Sequence, residues 1–296
     1  MTSAVDHLLA SALAGGRRSI AVVGAGKDVG KTATTAALAS AARRAGHTVA
    51  ITSVGRDGEV HDVATNLPKP QLVLPAGTVV ATAAALLPRS PASEVLELTP
   101  YRTALGRVVI VRLHAPTRIE IAGPNTASAM LELIASLRSF ADVVLVDGAV
   151  DRIAATARGD DAIIVATGAA LAPTLRGVVE RTRALVDRLS LPGGAPPEAI
   201  AVDGALTPER AAELLARSDR ARGVVLEDPL ALQIPAQTAA ALRRAGGLWC
   251  LRALHVAAVT VNAHGRERDV DPVALAEAVA CATGLPTYDV YRNAAA

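Results

Sequence analysis

A glycine-rich turn followed by a Lys-Thr pair is the segment of this chain best equipped to do chemistry. The turn follows an apolar run that begins at Ser19, and it opens a helical pattern that stops at Gly46. Its residues are Ala25, Gly26, Lys27, Asp28, Val29, Gly30, Lys31, Thr32 and Ala33. Small residues let backbone N–H groups turn inward around an anion, and the positive end of the next helix adds to the attraction. We therefore predict a loop that holds the phosphates of a nucleotide, in the form of Mg-ATP.

Two side chains of this turn have distinct predicted roles. Lys31 can reach the β- and γ-phosphates, and the Thr32 hydroxyl can bind Mg²⁺ beside them. The chain has 27 arginines but only three lysines, and two of those three, Lys27 and Lys31, lie in the turn. Because the chain otherwise uses arginine, a compact ammonium here suggests a site that requires lysine. Ala25 stands where glycine is more usual, which is a tolerated departure.

Carboxylates at neighbouring strand ends could complete the site. Asp147 ends a buried run and is the best candidate for a Mg²⁺ ligand, the alternative being an aspartate that opens a turn before Gly148. Asp57, flanked by Arg56 and Glu59, could position a Mg²⁺-bound water or the nucleophile, or it could lie in a surface turn. The predicted catalytic residues are Lys31, Asp57 and Asp147, and the predicted Mg²⁺ ligands are Thr32, Asp57 and Asp147.

Other polar residues also have two interpretations each. Asn262 ends an apolar strand and could read an adenine edge, or it could simply terminate the strand. Lys27 could touch phosphates in its own subunit or across a dimer, or it could be a solvated loop lysine. Asp151 and Arg152 could move with nucleotide state or form a surface ion pair. Arg118 and Glu120 could belong to a substrate or partner surface, without a specific role that follows from their spacing.

Composition excludes several other classes of function. The net charge of +2 and the aromatic content of 2% argue against nucleic-acid binding, which uses basic surfaces and stacking side chains. The two cysteines and six histidines lack the spacing of a zinc site. The N-terminal residues lack the pattern of a signal peptide, and no long uncharged apolar run suggests a membrane span. We therefore expect a cytoplasmic protein.

Apolar runs alternate with helical patterns along the whole chain, which predicts an α/β fold. We expect a three-layer, doubly wound, Rossmann-like parallel sheet, extended by further α/β units. Residues 1–190 would form the nucleotide-binding core. A Pro/Gly-rich stretch at 190–198 would lead to a C-terminal α/β extension, 191–296, that continues the same sheet. The alanine-rich run near 79–87 predicts a helix.

Two segments, VGAGKDVGKT and VVLVDGAVDR, resemble the SIMIBI class of P-loop NTPases. That class includes dethiobiotin synthetase, MinD/ParA-type ATPases and metal-delivery ATPases. The sequence GAGKDVGKT aligns without gaps with the dethiobiotin-synthetase type of loop. It departs from the MinD/ParA type, which has lysine at the position of Gly26. Lys27 lies one residue later than that lysine, which puts a role across a dimer interface in doubt.

A wider resemblance links the chain to the ATPase subunit of the reactivase for lysine 5,6-aminomutase, an adenosylcobalamin enzyme. The similar segments are TSVGRDGE (52–59), IEIAGPNT (119–126), VDGAVDR (146–152), ATGAAL (166–171), VTVN (259–262) and PTYDV (286–290). The resemblance implies a chaperone-like ATP hydrolase that restores a mutase holding damaged cofactor. It also implies protein partners, namely a second reactivase subunit, the aminomutase or both, and a homodimer is a further alternative.

Two other functions are compatible with the same loop. A ligase or kinase acting on a small carboxylate, like dethiobiotin synthetase, would need an additional cation such as Arg56 or Arg118. Here TSVGRDG replaces the Lys-Pro-Val type of second-strand motif found in that family. The third alternative is a nucleotide-binding regulator without turnover. The Asn-Lys-x-Asp signature that reads guanine does not occur, which favours ATP over GTP.

Overall fold

A computed structural model describes residues 3–54, 72–87, 93–149, 161–265 and 268–291 of the chain. These residues form an α/β fold with a large, mostly parallel central sheet, which confirms the α/β class predicted from the sequence.

The elements of the described ranges are numbered here in chain order. The strands are β1 (Ser19–Gly24), β2 (Val49–Ser53), β3 (Leu72–Leu74), β4 (Val79–Ala83), β5 (Ser93–Thr103), β6 (Gly106–Leu113), β7 (Thr117–Ile119), β8 (Val143–Ala149), β9 (Asp161–Gly168), β10 (Ile200–Val202), β11 (Val224–Leu226), β12 (Leu248–Cys250), β13 (His255–Asn262) and β14 (Thr287–Asp289). The α-helices are α1 (Ala4–Leu13), α2 (Lys31–Arg44), α3 (Ala127–Leu137), α4 (Leu175–Leu189), α5 (Pro208–Ala216), α6 (Ala236–Ala245) and α7 (Pro272–Thr283). None of these described helices has both the length and the apolar character needed to cross a bilayer.

Nine of the described strands form the central sheet in the order β14-β13-β9-β1-β8-β2-β4-β6-β5. Neighbouring strands from β14 to β4 are parallel, whereas β6 runs antiparallel to both β4 and β5. The remaining β3 and β7 pair with each other in a short antiparallel ribbon. Because β1 lies between β9 and β8, the turn that follows it emerges at the carboxyl edge of the parallel strands. Open α/β sheets bind ligands at that edge.

Helices cover the central sheet on both faces. On one face, α1 and α2 bury side chains such as Leu8 and Leu38. On the other face, α3, α4 and α7 bury Leu133, Val178 and Leu275. Strand β9 is buried at all of its positions and β1 at all but the last, as expected for parallel strands between two helical layers.

The strands beyond residue 190 are divided between two sheets. Strands β13 and β14 join the central sheet, but β10, β11 and β12 pair only with one another in a separate parallel sheet within the described residues. This small unit has its own apolar core, which includes Leu206, Leu226 and Cys250. The sequence predicted one sheet continuing through residues 191–296. The structure instead inserts a self-contained unit between α4 and β13, after the Pro/Gly-rich linker.

Two local expectations need correction. Residues 79–83, predicted as part of a helix, form strand β4, and a short 3₁₀ turn at Ala84–Leu86 follows it. Val79, Val80 and Thr82 are β-branched, and all of β4 is buried between β2 and β6, so tertiary packing and β-branching outweigh the alanine content. Strands β5 and β6 form an antiparallel hairpin because only two residues connect them, too few for a parallel crossover.

Candidate functional site

The glycine-rich turn lies at the carboxyl edge of β1, between the ends of β9 and β8. The backbone N–H of Ala25 donates a hydrogen bond to the carbonyl of Ala166 in β9, with an N···O distance of 2.8 Å. Val29 is 2% exposed, so its side chain anchors the middle of the turn in the protein interior. The exposed turn is therefore fixed at its start and at its centre.

The backbone of the turn includes two residues with positive φ angles. Asp28 has φ +57° and Gly30 has φ +94°, both in the left-handed region. When neighbouring residues alternate between right-handed and left-handed backbone conformations, their successive N–H groups point towards the same concave side of the turn. Gly30 is also the N-cap of α2, and no described side chain caps this helix end. The first amides of α2 therefore have no side-chain cap, and the positive end of the helix dipole lies behind them.

Five of the other six described helices have a first-turn amide capped by a side chain, including α5, which Thr207 caps, whereas α6, whose N-cap is Pro235, has no such cap. Ser3 caps α1, Thr126 caps α3, Thr174 caps α4 and Asp271 caps α7, each through a side-chain oxygen that accepts from a backbone N–H. The helix that follows the glycine-rich turn differs from these five in having glycine at the N-cap. A glycine leaves space where a capping side chain would compete with a bound anion.

The Lys31 side chain lies back across the end of β1. A Cβ atom placed on Gly24 would lie 2.7 Å from Cδ and 2.9 Å from Cγ of Lys31, so Gly24 provides the space through which the lysine stem passes. Lys31 is half-buried. This position places the lysine stem beside the first residues of the turn. Sequence reasoning missed Gly24, because nothing in the local pattern shows that this glycine contacts Lys31.

Asp147 lies in β8 and pairs in register with Val22 of β1 and Ser53 of β2. Alternation along the strand puts its side chain on the same face as Leu145, the face covered by α1 and α2. It is half-buried, and its carbonyl oxygen accepts a hydrogen bond from Val54 at 2.9 Å. The carboxylate is therefore held on the same side of the sheet as the helix that begins at Lys31.

Thr32 and Ala33 lie in the first turn of α2, and both are half-buried. The start of α2 is attached to β13, because the buried hydroxyls of Thr34 and Thr260 are hydrogen bonded to each other at 2.8 Å. Within the described ranges, no group of three or more His, Cys, Asp or Glu residues converges to hold a metal. Thr32 and Asp147 offer the hard oxygen donors that suit Mg²⁺, which is usually bound by one or two protein oxygens together with phosphate oxygens.

Asn262 braces the turn from the end of β13. It is 7% exposed; its Nδ2 donates to the carbonyl of Asp28 at 3.2 Å, and its Oδ1 accepts from the His264 N–H at 3.1 Å. The amide thus supports the left-handed conformation of Asp28. The predicted contact of Asn262 with an adenine edge stays a prediction.

Gly26 is closely covered by Leu171, from the 3₁₀ turn after β9. A Cβ atom on Gly26 would lie 3.0 Å from Cδ1 of Leu171. Any larger residue must displace Leu171, which gives a physical reason for the absence of the lysine found here in MinD/ParA-type loops. Lys27, by contrast, is exposed at the tip of the turn.

Residues 120–124 form a second wall of the carboxyl edge, beside Asp147. The Ser53 hydroxyl donates to the carbonyl of Ile121 at 2.9 Å, and the Thr82 hydroxyl donates to that of Glu120 at 3.1 Å. Gly123 approaches β2 so closely that a Cβ atom there would lie 2.1 Å from the Ser53 carbonyl oxygen. This segment therefore covers the ends of β2 and β4, while Arg118, which precedes it in β7, is exposed.

Two aromatic rings lie beside the start of α2. The ring centroids of His264 and Tyr291 are 5.9 Å apart, at an interplanar angle of 83°. They line a cavity of about 250 Å³ together with Asp269 and Asp289. Burial raises the pKa of the Tyr291 phenol above its usual value, and the negative charge of Asp289 adds to the shift. Sequence reasoning placed residues 286–290 in a strand and did not single out His264 or Tyr291.

Several predicted residues lie outside the described ranges. They are Arg56, Asp57, Glu59, Asp151 and Arg152. The structure brings the turn residues, Asp147 and Asn262 to one edge of the sheet. The roles proposed for Asp57 in water positioning and Mg²⁺ binding stay predictions.

Comparison with known proteins gives no family assignment for this chain. No protein-family model matches it, and neither does any curated protein. Function must therefore be inferred from the geometry at the carboxyl edge of β1 and from the resemblances in the sequence.

Proposed function

We propose that this protein is a P-loop ATPase that binds Mg-ATP on the turn Ala25–Thr32. The observation that carries the proposal is the position of Lys31, whose stem folds back over Gly24 above a turn with two left-handed residues. The uncapped N-terminus of α2 supports the same conclusion, because it leaves backbone donors and a positive dipole at the place where phosphates would lie.

Each polar group of the site has a role in this proposal. Lys31 and the backbone amides of the turn bind the β- and γ-phosphates and stabilise the charge on the transferring phosphoryl group. Thr32 and Asp147 would hold Mg²⁺, which when bound neutralises phosphate charge. Water attacks the γ-phosphorus in line as the bond to the β,γ-bridging oxygen breaks, giving ADP and phosphate. Asp57 is our candidate for orienting that water.

The nucleoside end of ATP would extend from Gly30 towards the cavity lined by His264 and Tyr291. A Cβ atom on Gly30 would lie 3.1 Å from the Tyr291 hydroxyl oxygen and 3.3 Å from Cβ of Asn262, so this wall directly adjoins the phosphate turn. Mixed polar and apolar walls of this kind suit a purine and its ribose. The choice of ATP over GTP rests on the sequence.

The binding proposal is tested by calorimetric titration of the protein with Mg-ATP. We expect Lys31→Ala to weaken binding about ten- to a hundredfold, since hydrogen bonds to charged groups contribute about 1.5–3 kcal/mol each. Arg176→Ala is the matched control, because it removes a positive charge from a side chain on α4 that is 88% exposed. Equal affinity in the Lys31→Ala variant and the unmodified protein would contradict the proposal.

We further propose that ATP turnover serves a chaperone-like reactivation of an adenosylcobalamin-dependent aminomutase. This step rests on the resemblance of six sequence segments to the reactivase ATPase subunit. It is tested by measuring ATP hydrolysis alone and with an inactivated aminomutase, with and without the second reactivase subunit. Recovery of mutase activity that requires ATP is the expected result. Hydrolysis that instead depends on a small carboxylic acid, with one new product per ADP, would identify a ligase or kinase.

A further inference from the structure

Tyr291 lies beside the start of α2 and lines two different cavities. On one side is the cavity of about 250 Å³ that His264 also lines. On the other side is a mostly apolar groove of about 600 Å³ between α1 and α2, lined by residues that include Val5, Ala33 and Val290. Among the described residues that line the two spaces, Tyr291 is the one that they share, so its side chain borders each of them.

The ring also lies directly against the phosphate turn. Its hydroxyl oxygen and its Cε2 atom would be 3.1 Å and 3.3 Å from a Cβ atom on Gly30. The smaller cavity, at about 250 Å³, is below the range of about 300–1,000 Å³ that is usual for small-molecule sites. A nucleoside whose phosphates lie on the turn would therefore have to share this space with the Tyr291 ring.

The local structure would let the ring move while the backbone stays fixed. The Tyr291 N–H donates to the Asp289 carboxylate at 2.9 Å, and Val290 is buried in the core. The side chain itself is half-buried, and its edge-on contact with His264 is made to an exposed residue. The Tyr291 phenol is neutral near pH 7, as an ordinary phenol is, so it places no negative charge beside the phosphates.

We propose that the Tyr291 ring is a movable partition that fills part of the nucleoside space and is displaced when a nucleotide binds. The inference rests on the proposed function, because the nucleotide is the ligand whose base and ribose move the ring. In the closed position the ring lowers the fraction of molecules that can accept a nucleoside. Binding then opens the smaller cavity towards the groove between α1 and α2, which couples the shape of that groove to nucleotide occupancy.

The test compares Tyr291→Ala with Tyr291→Phe, using Mg-ATP and Mg-tripolyphosphate as ligands. Tripolyphosphate has no nucleoside, so it reports on the phosphate turn alone. We expect Tyr291→Ala to raise the association rate and the affinity for ATP about tenfold. This factor applies if the ring leaves about a tenth of the unmodified molecules able to bind a nucleoside. Tripolyphosphate affinity stays unchanged, and Tyr291→Phe, which keeps the ring, behaves like the unmodified protein.

Two outcomes overturn the partition. ATP affinity that falls in Tyr291→Ala means that the ring is a platform on which the base stacks, and an unchanged association rate means that it does not obstruct binding. If the unmodified protein binds neither Mg-ATP nor Mg-tripolyphosphate, both the proposed function and the proposed movement of Tyr291 are wrong. Normal binding of both ligands with no effect of Tyr291→Ala removes the partition alone.

A second measurement follows the ring in the unmodified protein and uses Tyr291→Phe only to assign its signal. Carbon-13 labelling of tyrosine rings gives signals for Tyr101, Tyr288 and Tyr291, the three tyrosines of the chain. The Tyr291 signal is identified by its loss in Tyr291→Phe. We expect ATP to shift this signal strongly and tripolyphosphate to leave it in place. A Tyr291 signal unmoved by saturating ATP shows that the ring is not displaced.

Discussion

The side-chain amide of Asn262 donates a hydrogen bond to the backbone carbonyl of Asp28, at 3.2 Å, and so links residues that are 234 positions apart in the chain. Asp28 is the one described residue other than glycine with a positive φ angle. A non-glycine residue in this region is strained unless its surroundings hold it there. The end of β13 thus supports the least favourable backbone conformation of the phosphate turn.

We expect Asn262→Ala to lower ATP affinity by about fivefold, because one hydrogen bond contributes about 1 kcal/mol net. The loss arises from a looser turn, so tripolyphosphate affinity should fall by the same factor. Titration calorimetry with both ligands measures this. Asn125→Ala, at an exposed position before α3, is the control. A loss confined to ATP points instead to a direct contact between Asn262 and the base.

We expect Gly24→Ala to weaken triphosphate binding about ten- to a hundredfold, the range for losing a charged hydrogen bond of about 1.5–3 kcal/mol. The new methyl group would lie 2.7 Å from Cδ of Lys31 and must push the lysine stem away from the end of β1. Gly24 has no positive φ angle, so alanine fits its backbone. Binding of Mg-ATP and the circular dichroism spectrum are the two measurements.

Gly193→Ala is the control for this substitution, because a Cβ atom there meets its nearest neighbour at an ordinary 3.4 Å. It should leave binding unchanged. If Gly24→Ala binds ATP normally while its fold is intact, the position of the Lys31 stem is not what orients the ammonium group.

The position of the glycine-rich turn between a strand and a helix could be predicted from the sequence because its pattern is local; that it binds phosphates stays a prediction. A strand, small residues, Lys31 and a helix follow one another without interruption. The role predicted for each depends only on residues close to it in the sequence. The α/β class could be predicted for the same reason, since apolar runs and helical patterns alternate within short windows. Strand β4 shows the limit of this reasoning, because its alanines predict a helix while its burial between two strands decides the outcome.

The surroundings of the turn could not be predicted, because they depend on contacts between distant segments. Leu171 covers Gly26, and Tyr291 covers Gly30, yet neither pair is close in the sequence. No pattern of residue types marks such a contact before the strand order is known. The separate sheet of β10–β12 was missed similarly, since parallel strands of one sheet or of two have the same apolar character.

We expect one thiol of the folded protein to react with Ellman's reagent at pH 8, and two after unfolding in guanidinium chloride. Cys250 is fully buried, and burial, with the charge of Asp228, raises its pKa to about 11, so it is a covered, neutral thiol. Cys281 on α7 is exposed. Absorbance of the released thiolate counts the reactive groups, and Cys281→Ser should abolish the fast reaction. Two reactive thiols in the native protein would show that the β10–β12 unit opens readily.

The raised pKa of Cys250 also has a consequence for stability. The folded protein keeps the thiol proton at pH values where the unfolded chain releases it. Stability should therefore fall as pH rises from about 9 towards the folded pKa of about 11. Cys250→Ala should reduce this pH dependence, as measured by urea denaturation between pH 8 and pH 10. An identical dependence in the variant assigns it to other groups.

The ion pair between Arg138 and Asp161 should contribute strongly to the stability of the central sheet. Their N···O distance is 2.6 Å, Asp161 is 5% exposed, and Nε of Arg138 also donates to the Ser19 hydroxyl. We expect Arg138→Met to lower the free energy of unfolding by about 3–5 kcal/mol, because it leaves a buried carboxylate without this cation.

The matched control is Arg112→Met, which removes an arginine from a surface pair. Arg112 and Glu94 lie 3.5 Å apart, with side chains 40% and 49% exposed, and such pairs contribute about 0–1 kcal/mol. Urea denaturation of both variants gives the comparison. Since Arg138 joins the end of α3 to the amino ends of β1 and β9, opposite the phosphate turn, ATP affinity should stay unchanged in its variant. Similar losses in the two variants would show that burial does not distinguish the pairs.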